Sequence, residues 1–230
     1  MLWYKGWLET RIRLLIGLGW FGVLMVSMHL IGNNAGLGGL TPAAGFAFMA
    51  MTQMVVISSI LAGTGIATQA PFQEIKGLQG STIFTLSLPV SRFRLLAVRS
   101  MLGWLEMAGL IGALCFLNWL GIPWLRVTAI EMFEYAGTLI ACSSTLYFIT
   151  VLVATFLNEW RLQGSFIAFA ALWWLPNHTP LPASANVFRA MGDGSPLVAH
   201  TTPWTTMAFS LALSAILFFA ALKIVQAREY

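Results

Sequence analysis

Charged residues are scarce in this chain of 230 residues. Asp, Glu, Lys and Arg together make up 9% of it, hydrophobic residues make up 58%, and the mean hydropathy is +0.80. Soluble domains carry about a quarter charged residues, so this composition excludes a soluble protein and indicates an integral membrane protein. The apolar runs are continuous and do not alternate with polar residues, which excludes a membrane barrel and predicts helices.

Cysteine is almost absent, and a phosphate-binding loop is missing. Cys115 and Cys142 both fall in apolar runs, so the sequence favours two reduced cysteines that pack as small apolar side chains over a disulfide or a metal site. The histidines His29, His178 and His200 have no metal-ligand spacing, and we assign no metal. No Gly-x-x-x-x-Gly-Lys sequence followed by Ser or Thr occurs, so the sequence predicts no phosphate-loop nucleotide site in this polypeptide.

Two further classes of function are disfavoured by what the sequence lacks. The net charge of +4 comes from basic residues spread along the edges of the apolar runs, so no nucleic-acid partner is expected. A membrane-embedded enzyme needs clustered polar groups, such as two aspartates, a Ser–His pair or metal-binding carboxylates. The single Asp is Asp193, and Ser165 has no evident His partner at matching depth. An enzyme acting on lipid or peptide is therefore an alternative and not the leading hypothesis.

The apolar runs are long enough for several membrane crossings. A helix needs about 20 apolar residues to cross the hydrocarbon core, and we predict six such helices in one all-α membrane domain over residues 1–230. Only about 12 residues separate Gly164 from Pro176, so the fifth helix either crosses or pairs with a re-entrant segment. The six predicted spans cover about residues 14–31, 43–68, 95–120, 132–157, 164–175 and 204–225.

The basic residues indicate the orientation in the membrane. Lys and Arg in short loops stay on the cytoplasmic side, which places both termini in the cytoplasm and favours an even number of spans. Residues 1–13 mix aromatic and charged side chains and predict a helix lying in the interface. We expect a multi-pass protein of a bacterial inner (plasma) membrane. The residues assigned to the cytoplasmic side are Lys5, Arg11, Arg13, Lys76, Arg92, Arg94, Arg99, Arg161, Lys223 and Arg228, with Arg126 and Arg189 on the other.

A polar segment lies between the second and third predicted spans. It reads Gln79-Gly80-Ser81-Thr82-Ile83-Phe84-Thr85-Leu86-Ser87-Leu88-Pro89-Val90-Ser91-Arg92. Upstream of it, Pro71 can start a helix that the glycines then interrupt. Polar and apolar residues alternate up to Pro89, so one side suits the membrane edge and the other the cytosol. Such a segment has to lie in water or on another protein, and we expect a partner to act on it.

The residues of this segment resemble those of a known family. Gly80-Ser81, the run from Leu86 to Arg92, and then Leu95-Leu96 and Arg99 entering a helix are similar to the membrane subunit of ABC exporters, the ABC-2-type permeases. The resemblance implies a coupling helix over about residues 72–92 that docks on a separate cytoplasmic ABC ATPase subunit. Glu74 lies further from the Gly-Ser pair than the family's acidic residue does. The coupling residues implied are Glu74, Lys76, Gly77, Gly80, Ser81, Pro89, Ser91 and Arg92.

The resemblance also implies an assembly and a mechanism. Two permeases, as a homodimer or a heterodimer, would act with two ATPase subunits that bind ATP and Mg, while this chain holds no cofactor and catalyses no reaction. ATP-driven dimerisation of the ATPases would move the coupling helix and switch the membrane helices between inward-facing and outward-facing arrangements. The apolar composition favours an amphipathic or hydrophobic cargo. A membrane assembly subunit without transport activity is a further alternative.

One ionisable residue falls deep inside a predicted span. Glu106 lies about 11 residues into the third span, where a charge costs at least a few kcal/mol. A salt-bridged, a protonated and a substrate-facing carboxyl are all open, and the last of these places Glu106 on the translocation path. Arg99 is about 10 Å away along the helix axis and is predicted to reach the cytoplasmic interface instead. Trp104 is predicted to pack between helices or to line a path.

The regions predicted on the outer side of the membrane give weaker indications of function. Glu131 and Glu134 flank the start of the fourth span and are predicted to cap that helix, with cation recruitment as the alternative. Residues 176–203 are rich in proline and predict either simple loop packing, or a lid or partly re-entrant hairpin over the exit path.

Overall fold

The computed structural model describes most of the C-terminal part of the chain. The described residues are 15, 18, 19, 22, 23, 55, 58, 59, 92–121, 127–156, 161–178, 182, 185–192 and 194–227. The predicted interfacial helix at 1–13 and the predicted coupling segment up to residue 91 lie outside them. Within these ranges the fold is all-helical, without a strand.

From residue 92 onward, the described residues form six helices. We number them α1 (Arg92–Gly121), α2 (Ala129–Phe156), α3 (Arg161–His178), α4 (Val187–Met191), α5 (Pro196–Ala199) and α6 (Trp204–Ala227).

Three of these helices are long and apolar enough to cross a membrane. The apolar segments are Leu96–Leu120 in α1, Ala129–Thr155 in α2 and Trp204–Ala227 in α6. They agree within three residues with the third, fourth and sixth predicted spans, and they support the predicted class of membrane protein.

The other predicted spans have different outcomes. The described residues of the first two, at 15–23 and 55–59, are helical. The fifth was predicted too short, because α3 begins at residue 161 and continues through Pro176 to His178. Only two residues of α3 follow the proline, so the helix ends soon after a residue that cannot donate a backbone hydrogen bond. α3 is not among the three apolar segments above.

Helix α2 lies at the centre of the bundle. It contacts each of the other five numbered helices, and within the most apolar stretch of each long helix a larger share of residues is buried in α2 than in α1 or α6. Tyr135, Leu139 and Tyr147 of α2 are fully buried. By contrast, α6 exposes large apolar side chains such as Ile216 and Phe219. In a membrane protein, such a face is suited to contact with lipid tails.

Helices α2 and α6 run in the same direction. The Thr138 hydroxyl is 3.6 Å from Met207 Sδ, and further along α2 the Thr145 hydroxyl is 3.4 Å from Ser214 Oγ. Because the contacting residue numbers rise together, the two helices are parallel, and the chain has to cross the bundle again between them. Helix α3 makes this return: its 18 residues span about 27 Å. The short helices α4 and α5 then lie at the end of the bundle where α2 and α6 begin.

Candidate functional site: the polar interior of the bundle

Glu106 lies at the middle of α1, as the sequence predicted. It follows the first residue, Arg92, by fourteen positions in a helix of 30 residues. Its side chain is half-buried, between the buried Met107 and the exposed Leu105. Tyr147 of α2 lies close enough for an electrostatic interaction with the Glu106 carboxylate. The carboxyl group therefore lies at the edge of the α1–α2 interface, at mid-depth in the bundle.

Two hydrogen bonds join α1 to α2 at Ser100 and Trp104, between Glu106 and the start of α1. The indole Nε1 of Trp104 donates to Ser144 Oγ at 2.8 Å, and the Tyr147 hydroxyl donates to the Ser100 carbonyl at 2.8 Å. The Ser144 hydroxyl in turn donates to the Ile140 carbonyl at 2.7 Å. The prediction that Trp104 packs between helices is confirmed. These bonds satisfy polar groups that would otherwise be costly inside an apolar bundle.

The Ser100 hydroxyl is buried but is not part of this arrangement. Its residue is 1% exposed, and Oγ has no hydrogen-bond partner among the residues that the structure describes. A buried hydroxyl without a partner costs roughly 1–3 kcal/mol. Ser100 therefore brings two polar groups to the α1–α2 interface. Its carbonyl accepts a hydrogen bond from Tyr147, and its hydroxyl has no partner among the described residues.

The contact between α2 and α6 is built from small polar side chains. Thr145 donates to the Ser210 carbonyl at 3.0 Å, and Ser210 Oγ lies 4.0 Å from Cys142 Sγ. Small hydroxyl residues let membrane helices approach closely and bond across the interface. This contact was not predicted from the sequence, although a signal was present. Thr206, Ser210 and Ser214 recur every four residues of α6, and all three are buried.

The start of α2 carries the predicted cap. Glu131 Oε2 accepts hydrogen bonds from the Thr128 backbone N–H at 2.9 Å and from the Thr128 hydroxyl at 2.8 Å. The Glu131 N–H donates back to Thr128 Oγ1 at 3.3 Å, which completes a capping box. The capping role of Glu131 is confirmed. Glu134 has a different role, because its Oε2 accepts from the hydroxyl of Thr202, just before α6, at 2.8 Å.

The segment between α3 and α6 folds onto the bundle. Val187 and Met191 of α4 are fully buried, and the Tyr135 hydroxyl donates to the Met191 carbonyl at 3.5 Å. Helix α4 is capped by Asn186, whose Oδ1 accepts from the Arg189 N–H at 3.0 Å. These contacts match the simple packing predicted for residues 176–203, while a lid function stays a prediction.

Seven of the eight predicted coupling residues fall in the part of the chain that the structure does not describe. Glu74, Lys76, Gly77, Gly80, Ser81, Pro89 and Ser91 lie outside the described residues. Arg92 is the first residue of α1. The two cysteines are free and buried, as expected of apolar fillers.

Comparison of the chain with protein-family models, with curated proteins and with solved structures gives no match. The resemblance to ABC-2-type permeases therefore stays a prediction that rests on the residues of the polar segment.

Proposed function

We propose that this chain is the membrane-spanning subunit of an ABC exporter, which moves an amphipathic or hydrophobic substrate with energy from a separate ATPase. The observation that carries the proposal is the continuity between the predicted coupling segment and α1. The segment that resembles the permease family ends at Arg92, and Arg92 is the first residue of α1. A force applied to the segment therefore enters the bundle directly through this helix.

The geometry of α1 suits such a role. A helix of 30 residues is a rod of about 45 Å, and Glu106 lies about 21 Å from its first residue. On the way, Ser100 and Trp104 hydrogen-bond to α2, which in turn contacts the other described helices. A displacement at Arg92 would thus reach both the mid-depth carboxyl and the centre of the bundle. In this proposal Glu106 meets the substrate when the α1–α2 interface opens.

The proposal includes an assembly in the membrane. Two permease copies or homologues act with two cytoplasmic ATPase subunits that bind ATP and Mg. The chain lies in an inner (plasma) membrane with both termini in the cytoplasm, and its exposed apolar faces contact lipid. The support for this arrangement is the distribution of basic residues together with the apolar surfaces of α1 and α6.

Purification from the native membrane tests the proposal. We expect an ATPase chain with a phosphate-binding loop to co-purify with the wild type and to be lost from Gly80→Trp. Gly109→Leu is the matched control, because Gly109 is exposed on α1 with open space around its Cα, and it should retain the ATPase. A wild-type preparation without any ATPase, or full retention by Gly80→Trp, would overturn the proposed coupling.

A further inference from the structure

One exposed face of α6 is apolar and ends in a lysine. Phe209, Ile216 and Lys223 follow one another at intervals of seven residues, about two helical turns, and Phe219 lies on the same side. All four side chains are exposed. The opposite side of α6 carries buried hydroxyl residues such as Ser210 and packs on α2. The lysine therefore lies at the end of an apolar surface and not within a polar face.

A face of α1 has the same arrangement. Arg94, Met101 and Leu105 are exposed, and their spacing of seven and four residues puts them on one side of the helix. Helix α1 also contacts α6. Two neighbouring helices thus each present exposed apolar side chains with a basic residue at one end.

The two basic residues lie at about the same depth. The Ser100–Tyr147 hydrogen bond marks a level that α1 shares with α2, and Thr145, two residues earlier in α2, lies opposite Ser214 of α6. The exposed arginine of α1 precedes Ser100 by six residues, about 9 Å, and the exposed lysine of α6 lies seven residues, about 10 Å, beyond the level of Tyr147. Because α1 runs opposite to α2 and α6, both distances lead to the same end of the bundle. We call it the basic end.

The described carboxylates lie away from the basic end. Glu106 is at mid-depth on α1. Glu131 and Glu134 are at the opposite end of the bundle, where they contact His200 and Thr202. Within the described ranges, the exposed charged side chains of the basic end are therefore positive.

We propose that this face of α6 binds an anionic phospholipid, with the phosphate at Lys223 and the acyl chains along Phe219 and Ile216. Half of the hydrocarbon core is about 15 Å thick. Phe219 and Ile216 lie four and seven residues before the lysine, or about 6 and 10 Å along the helix, so the chains of one lipid can cover both. Arg94 adds positive charge at the same depth. This inference does not depend on the proposed transport function.

Charge and shape together favour this occupant. A free phosphate would meet the lysine and leave the apolar face uncovered, whereas a zwitterionic lipid would cover the face and bring no net charge to the lysine. An anionic phospholipid matches both parts of the surface, and the apolar stem of a lysine can lie along a lipid-facing helix. In the predicted orientation the basic end meets the cytoplasmic leaflet, whose surface is negatively charged.

Native mass spectrometry of the protein purified in detergent tests the lipid site. The affinities for phosphatidylglycerol and phosphatidylcholine with the same acyl chains are compared. Wild type should bind phosphatidylglycerol at least about fivefold more tightly, the preference that one basic residue near the membrane surface supplies. Lys223→Gln should lose about fivefold in affinity for phosphatidylglycerol and keep its affinity for phosphatidylcholine. Lys223→Arg should retain both.

Arg189→Gln is the matched control, because it removes an exposed positive charge at the opposite end of the bundle, and it should keep the preference. Equal affinities of the wild type for the two lipids, or equal losses from Lys223→Gln and Arg189→Gln, would refute the lipid site. Displacement of bound phosphatidylglycerol by soluble glycerol phosphate would also count against it, because a free phosphate would then suffice. A dimer without bound lipid would identify a second copy of the chain as the occupant instead.

Discussion

The Tyr147 hydroxyl donates a hydrogen bond of 2.8 Å to the backbone carbonyl of Ser100, and so joins α2 to α1. Both residues are buried, at 0% and 1% exposure. A helical carbonyl has a second lone pair, so Ser100 can accept from Tyr147 while it keeps its place in the backbone hydrogen bonds of α1. This bond and the one between Trp104 and Ser144 connect α1, through which the proposed force enters, to α2 at the centre of the bundle.

Removing the Tyr147 hydroxyl should weaken the contact between α1 and α2 while an aromatic ring stays in place. We expect Tyr147→Phe to lower the free energy of unfolding by about 0.6–1.7 kcal/mol, as for other hydrogen bonds between membrane helices. The ring would keep its edge-on contact with Phe148, at 5.0 Å between centroids, whereas Tyr147→Leu should cost more because it loses that contact too. Unfolding in mixed detergent micelles measures both losses. A Tyr147→Phe variant as stable as wild type would show that the hydroxyl contributes nothing.

The hydroxyl of Thr145 should matter more than a hydroxyl bonded within its own helix. Thr145 bonds across to α6, while Thr150 donates to the Leu146 carbonyl of α2 at 3.0 Å, and both residues are fully buried. We expect Thr145→Val to destabilise the protein by about 0.6–1.7 kcal/mol and Thr150→Val by less. The same unfolding measurement compares the two. Equal effects would contradict a specific contribution of the α2–α6 bond.

The charge of Glu106 should matter to transport and not to assembly. If the carboxyl lies on the substrate path, Glu106→Gln should reduce substrate movement by the reconstituted complex about tenfold or more, because one missing charged contact is worth roughly 1.5–3 kcal/mol. Binding of the ATPase should be unchanged. Transport by both proteins is measured across pH. Equal activity at every pH would make Glu106 a structural residue, and loss of ATPase binding would indicate a folding defect.

Gly194 should resist substitution because of a close backbone approach. A Cβ at this position would lie 3.1 Å from the carbonyl oxygen of Arg189, which also accepts a hydrogen bond of 2.8 Å from the Gly194 N–H. We expect Gly194→Ala to cost about 1 kcal/mol, measured as a shift in the unfolding midpoint. Gly112→Ala is the control, since nothing lies within 4 Å of the place that its methyl group would take, and it should cause no loss. A larger loss of stability from Gly112→Ala than from Gly194→Ala would contradict the importance of the close backbone approach at Gly194.

The parts of the fold that were predicted correctly depend on local properties. The ends of α1, α2 and α6 follow from runs of apolar residues whose length matches the hydrocarbon core. The capping box of Thr128 and Glu131 joins residues only three positions apart. The position of Glu106 at mid-depth likewise needed nothing beyond its distance from the ends of the apolar run. Helix α3 escaped correct prediction at its ends because its composition is less apolar and a proline lies in its last turn.

Composition and local pattern were enough to establish a helical membrane protein and the ends of three apolar helices, because hydrocarbon thickness acts on each segment separately. Tertiary packing settled that α2 lies at the centre, that α6 runs parallel to it, and that His200 and Thr202 meet Glu131 and Glu134. The last of these pairs is 68 positions apart. Helices that are apolar on nearly every side have no periodic pattern that selects a neighbour, so such pairings depend on shape and on hydrogen bonds between distant residues.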